Sequence, residues 1–259
     1  MRGAIIGDII GSAFVNNNLD VTNFQLLKPF SAYTDNTITT LSTADAILNE
    51  KDYVQTLKEW VRKYPKAGYK SNFLDWALAE TDTPYVSGGD GAARRISPIG
   101  FAAPTLEFAL EQAEKTTVIT HPTKLRIEAS RAVAGSIFLA KQGKSKDEIK
   151  QFIENEFHYT LDQSLEDIKI GIRKEISLDT PVPAAVTAFL KSSDYEDAIR
   201  KAVWLGGPSH TIASITGGIA HAYYNHIPKS LIRKTLSRMT TQMEGLIDEF
   251  EAQYFAPTY

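Results

Sequence analysis

Four short clusters in the chain hold side chains of the kind that do chemistry. The first, Tyr33-Thr34-Asp35-Asn36-Thr37, stands just before the apolar-periodic run Ile38–Leu48. Thr34 or Asp35 suits a helix N-cap, where a side-chain oxygen satisfies a free backbone N–H. Thr, Asp and Asn together also make an oxygen-rich helix start, which suits a hard cation such as Mg²⁺. The free N–H groups of such a start suit a phosphate instead. The second cluster runs from Ser87-Gly88-Gly89-Asp90-Gly91 to Arg94-Arg95. Its glycines permit positive φ and close backbone approach to a ligand, and its arginines can contact phosphate or carboxylate. A surface turn with two solvated arginines fits the same residues. The third, Gly206-Gly207-Pro208-Ser209-His210-Thr211, opens a helix of small residues, with Pro208 and Ser209 at positions that favour a helix start. His210 and His221 share a face of that helix but lie roughly 16 Å apart along it, too far to bind one metal together. A lone histidine is by default satisfied by the fold or solvated. The fourth is Gly3-Ala4-Ile5-Ile6-Gly7-Asp8-Ile9-Ile10-Gly11. Glycines four apart would let another backbone approach one helix face. A carboxylate set among isoleucines, as Asp8 is, must be paired or hydrogen-bonded.

The elements that position these clusters read as helices. Most of the 11 prolines fall between periodic segments: Leu41–Val61, Thr105–Lys115, Leu125–Lys141, Lys146–Phe157, Ala184–Leu190, Tyr195–Leu205 and Ser230–Tyr254. In Thr211–Tyr224 the series Ile212, Ile215, Thr216, Ile219 and Tyr223 has helical spacing. Sustained alternation of period two is nearly absent, so no sheet is expected. Neither a linker nor a fixed-period repeat divides the chain. The expectation is all-α, one compact domain over 1–259.

Composition excludes several functions. The 28 Lys+Arg against 31 Asp+Glu give a net charge of −3, which supplies no long-range attraction to nucleic acid or anionic lipid. With no cysteine, disulfides, thiolate nucleophiles and thiolate metal sites are out. The start MRGAIIGDIIGSAF lacks signal-peptide grammar, and no apolar stretch reaches the roughly 18 residues of a membrane span. The expected location is the cytoplasm. The final residues Ala256-Pro257-Thr258-Tyr259 carry no evident chemistry.

The order of the clusters, GD-x-x-G, TD-x-T, a glycine loop with Arg, then GG-x-S-x-T-x-A, resembles the ADP-ribosylglycohydrolase family. The likeness runs from Gly3 to about Glu251 and takes in Thr120-His121-Pro122 and Thr216-Gly217-Gly218-Ile219-Ala220. The resemblance implies an all-α, single compact ADP-ribosylglycohydrolase-like helical domain with a central cleft. Two Mg²⁺ ions there are held by Thr-Asp-Asp and Asp-x-Asp-Thr motifs and a glutamate, and bind the ribose hydroxyls. The diphosphate of ADP-ribose lies near the glycine loop.

This chain departs from that pattern where the chemistry is. The family's TDDT reads Thr34-Asp35-Asn36-Thr37, and its GGD[ST]DT reads Gly206-Gly207-Pro208-Ser209-His210-Thr211. The glutamate is missing near Val15, and the loop's usual Asn is Asp90. One carboxylate, one amide and neutral hydroxyls do not offset four positive charges, so a dinuclear Mg²⁺ site is not expected, since Mg²⁺ is usually held through carboxylates. Any retained metal would rest on Thr34, Asp35 and Thr211. The candidate catalytic pair is Asp35 and His210. Asp35 would activate water or stabilise a cationic sugar, and His210, with an ordinary pKa near neutrality, would be acid or base. The same pair suits one transition metal, since imidazole binds Zn²⁺ or Ni²⁺. Asn36, Ser87, Gly89, Asp90, Gly91, Arg95 and His121 are the expected ligand-binding residues. Three functions follow: divergent, metal-independent hydrolysis of N- or O-glycosidic ADP-ribosyl groups; a pseudoenzyme that binds an ADP-ribose-like molecule or an ADP-ribosylated macromolecule without cleaving it; and a scaffold protein that reuses the fold.

Overall fold

The computed structural model describes residues 1–16, 19–81, 85–174 and 181–255; the Ala256–Tyr259 tail lies outside them. Among the described residues the chain is helical throughout and carries no strand. In chain order α1 (Arg2–Gly11) ends in a 3₁₀ turn (Ser12–Phe14), followed by α2 (Asp35–Leu48), α3 (Tyr53–Lys63) and α4 (Ser71–Leu78). Two short helices, α5 (Gly91–Arg95) and α6 (Ser97–Ala102), lead to α7 (Leu106–Val118) and α8 (Lys124–Lys141). Then come α9 (Lys146–Phe157), α10 (Leu165–Arg173), α11 (Val182–Leu190), α12 (Tyr195–Leu205) and α13 (Ser209–Tyr224), and last α14 (Lys229–Leu236) and α15 (Thr241–Tyr254).

The core is built on α1 against α13. Every residue of α1 is buried, as expected of a helix apolar all round. The three glycines of α1 set the approach. A Cβ on Gly7 would stand 2.6 Å from the carbonyl carbon of Ala213, and one on Gly11 2.5 Å from Cα of His210. The two backbones therefore touch, which only glycine permits here. This contact carries the start of α13, with His210, to the end of α1. Around the pair lie α8, α11 and α12, while α2 packs on α3, α5, α6 and α15.

Two expected segments are each broken in two. Leu41–Val61 divides because Glu50 takes φ +51° and Asp52 caps α3, its carboxylate accepting from Gln55 N at 2.9 Å. Ser230–Tyr254 divides where the Thr240 hydroxyl accepts from Met243 N at 3.3 Å. In both places the caps terminate helices that apolar periodicity alone would run together. Helices α4, α5, α6 and α10 lie outside the expected segments. The loop glycines Gly88, Gly89 and Gly91 do not take positive φ. Positive φ falls instead at Gly206 (85°) and Gly207 (59°), where the chain turns from α12 into α13.

Candidate functional site

The start of α2 is held by Asp8. Its carboxylate is fully buried and accepts from Thr34 N at 2.9 Å, Thr34 Oγ1 at 2.6 Å, Thr37 N at 3.3 Å and Thr37 Oγ1 at 2.6 Å. The sequence demanded a partner for this carboxylate, and the N-terminal turn of α2 provides it. An anion here also suits the positive end of the helix. Thr34 is the N-cap, its hydroxyl accepting from Asn36 N at 3.2 Å while donating to Asp8. Burial pushes the Asp8 carboxyl up, against the pull of the nearby His210 ring and the Thr34 and Thr37 hydrogen bonds.

Asp35, the first residue of α2, is engaged by Arg94. The guanidinium reaches its two carboxylate oxygens at 3.5 and 3.3 Å. Asn36 is 1% exposed, yet neither Nδ2 nor Oδ1 has a partner. Arg94 Nε and His210 Nδ1 are buried and unpartnered as well. Burial lowers the His210 pKa below its ordinary value, and Asp8 and Asp35 only partly oppose this. The ring is therefore neutral at physiological pH rather than poised at its midpoint. No hydrogen bond joins His210 to Asp35. Thr211 is buried in the first turn of α13.

Beside this centre a cleft of about 470 Å³, part of it open to solvent, is lined by Asp35, Lys70, Phe73, Tyr85, Gly89 and His121 among others. The glycine loop forms one wall. Ser87 N donates to Thr120 O at 2.8 Å, and Gly89 N to Ser87 Oγ at 3.1 Å. Arg126 clamps the loop from α8, donating to the Asp90 carboxylate and to Gly88 O. Burial raises the Asp90 pKa, while Arg126, Arg94 and Lys70 pull it down. A Cβ on Gly91 would meet His121 Cε1 at 3.1 Å and Nε2 at 3.3 Å, so the missing side chain leaves the histidine edge open to the cleft.

The structure thus brings Asp35, Ser87, Gly89, Asp90, Gly91, Arg95 and His121 to one cleft, while Asn36, His210 and Thr211 stand at the two helix starts beside it. The arginines divide. Arg94 turns to Asp35, whereas Arg95 is 3% exposed and Nη2 donates to Thr116 O and Thr120 Oγ1, both at 2.8 Å. Successive residues of a helix point about 100° apart, so only one of the two can face Asp35. Lys70, Phe73 and Tyr85 join the cleft without a sequence signal, because α4 and its flanks carry no motif.

The donor set does not fit two Mg²⁺ ions. Asp8 is fully buried and committed to four hydrogen bonds from Thr34 and Thr37, and Asp35 already carries a guanidinium. Asn36 and His210 bring no negative charge. Among the described residues no three His, Cys, Asp or Glu side chains are grouped so as to hold a metal.

Comparison with known proteins agrees with this architecture. Residues 1–257 match the family model described as ADP-ribosylglycohydrolase. An uncharacterized protein of Archaeoglobus fulgidus is 25% identical over 83% of this chain and 80% of that protein. The ADP-ribosylhydrolase ARH3 of Homo sapiens is 22% identical over 89% of this chain and 86% of its own length. A solved structure titled ADP-ribosylglycohydrolase-related protein complex superposes with a TM-score of 0.72 at 20% identity, covering 97% of this chain and 95% of that one. This likeness carries the fold.

Proposed function

The chain belongs to the ADP-ribosylglycohydrolase family, and from that premise we propose that its cleft binds an ADP-ribosyl group without a metal. The observation that carries this reading is the composition of the cleft wall. Lys70 and Arg94 supply positive charge, the loop from Ser87 to Gly91 supplies close backbone approach, and Phe73 and Tyr85 supply aromatic faces. A diphosphate is matched by the cations and the loop. A purine is matched by the rings, which lie 5.9 Å apart between centroids at 69°. The terminal ribose would then lie toward Asp35 and the unpartnered Asn36 amide, whose donor and acceptor suit a sugar diol.

Calorimetry with ADP-ribose, run in EDTA and again in Mg²⁺, tests the proposal. The expected result is the same affinity in both. Affinity that appears only with Mg²⁺ overturns the metal-free reading, and no binding in either buffer favours a scaffold that has kept only the fold.

Metal-free hydrolysis is the second reading, favoured by the neutral His210 ring, with its unpartnered Nδ1, in the field of Asp35. In that reaction His210 takes a proton from water, whose oxygen bonds to the anomeric carbon. The glycosidic bond breaks, its electron pair leaves with the acceptor atom, and that atom takes the proton from the His210 imidazolium, which returns the ring to neutral. Asp35 would stabilise the sugar cation, but Arg94 offsets its charge, which makes binding the stronger reading. Release of ADP-ribose from an ADP-ribosylated protein, abolished in both D35A and H210A, would establish hydrolysis by this pair.

A further inference from the structure

We infer that Arg95 and Thr120 are positioning residues that fix the proton of His121 on Nε2, presenting a neutral N–H donor to the cleft beside Gly91. The argument is a count of protons and lone pairs. The Thr120 side chain is fully buried. Its oxygen accepts from Arg95 Nη2 at 2.8 Å, and an arginine nitrogen is always the donor. The hydroxyl has one proton of its own, and a buried hydroxyl proton needs an acceptor. Among the described residues the one nitrogen or oxygen available to it is His121 Nδ1, at 2.7 Å. Nδ1 therefore accepts through its lone pair, and a neutral imidazole that accepts at one nitrogen carries its proton on the other.

The remaining geometry says where that proton points. The Cε1–Nε2 edge stands over Gly91 at 3.1 and 3.3 Å from the place a Cβ would take, and His121 lines the cleft. The far end of the relay is anchored, since Arg95 Nη2 also donates to Thr116 O at 2.8 Å in α7. Burial, with Arg95, Arg94, Arg126 and Lys70 around the ring, holds the His121 pKa down to about 2. The ring thus offers a directed donor and adds no charge. The ligand atom it suits is an acceptor oxygen, as on a phosphate. That identity rests on the proposed ADP-ribosyl binding; the tautomer does not.

Long-range ¹H–¹⁵N correlation spectra of the histidine rings test this without any ligand, with His121 assigned from an H121N variant. The expected wild-type signature is the Nε2–H tautomer. In T120V the relay has no hydroxyl, so the Nε2–H population falls, and T120S restores it. Calorimetry on the same proteins is expected to show ADP-ribose affinity about tenfold weaker in T120V, the size of one hydrogen bond to a charged group, and restored in T120S. A wild-type Nδ1–H tautomer, or a T120V ring unchanged from wild type, overturns the relay. If T120V does not fold, the wild-type spectrum alone decides. A correct tautomer with no ADP-ribose binding would leave the relay standing and remove the functional proposal instead.

Discussion

At the scale of single residues, Arg94 is what sets this centre apart. Its guanidinium places one permanent positive charge on the carboxylate of Asp35, and Coulomb repulsion then opposes any cation brought to the same oxygens. Two further carboxylates would be needed to reverse the balance, and Asn36 and His210 are two of the positions where the family pattern resembled by this sequence has them. Three proteins therefore form a test by thermal unfolding with and without Mg²⁺. The wild type is expected to show no shift. N36D/H210D with Arg94 retained is expected to show little. N36D/H210D/R94A, which gains two negative charges and loses the guanidinium, is expected to be stabilised by about 2–3 kcal/mol once Mg²⁺ exceeds its dissociation constant a hundredfold. A wild-type protein stabilised by Mg²⁺ would contradict the premise. Part of this was legible in the sequence. The missing carboxylates are read directly, and Asp8 required a partner because an unpaired buried carboxylate is too costly. Which arginine faces Asp35 was not legible. Arg94 and Arg95 are identical in chemistry and adjacent in sequence, and only the docking of α5 assigns one to Asp35 and the other to Thr120.

At the scale of elements, the site depends on how closely α1 approaches α13. The spacing of Gly3, Gly7 and Gly11 announced such a contact, but not its partner, since Gly217-Gly218 and other small-residue stretches offered the same smooth face. The helix breaks after Leu48 and Leu236 were hidden for a different reason: apolar periodicity continues across them, and a single capping residue decides. The close contact has a measurable cost when disturbed. Alanine at Gly7 would place a methyl 2.6 Å from the Ala213 carbonyl carbon, where backbone must move on both helices. G7A is expected to lose about 3 kcal/mol or more in urea denaturation, at or above the top of the roughly 1–3 kcal/mol typical of an overpacked core, because the pair cannot separate. G245A serves as the opposite case. Gly245 is exposed on α15 with nothing within 4 Å of its would-be Cβ, so alanine there is expected to stabilise by about 0.5–1 kcal/mol through helix propensity. G7A that unfolds no earlier than the wild type would mean the two backbones are not in contact.

At the scale of the whole molecule, the fold is closed by a buried ion pair between its first and last helices. Glu251 of α15 accepts from Arg2 Nε at 2.8 Å and from Arg2 N at 3.0 Å. The Met1 amino group lies 3.5 Å from the same carboxylate. Nothing in the residue spacing predicted this, because the partners are 249 positions apart. Burial pushes the Glu251 carboxyl up, but the Met1 amino group, His221 and Arg2 override it and hold it at about 2. The sign follows from that depression. In the unfolded chain Glu251 takes its proton near 4.5, while in the fold it resists until about 2. Its stabilisation is present above pH 4.5 and is lost as pH falls toward 2. The shift corresponds to about 3 kcal/mol. His221 acts in the same direction over a higher range. Burial, with the Met1 amino group, lowers its pKa from 6.5 to about 3, so below pH 6.5 the unfolded chain binds a proton that the fold refuses. Denaturation curves taken from pH 7 down to 2.5 are therefore expected to show stability falling in two overlapping stages. The E251Q protein starts lower at pH 7, because Arg2 then lacks its buried counter-charge. It keeps the loss above pH 4.5, which belongs to His221 and to the Met1 amino group, whose pKa burial lowers from 8.0 to about 5, and its curve flattens below pH 4.5 relative to the wild type. Parallel wild-type and E251Q curves below pH 4.5 would show that Glu251 does not hold the two ends of the fold together.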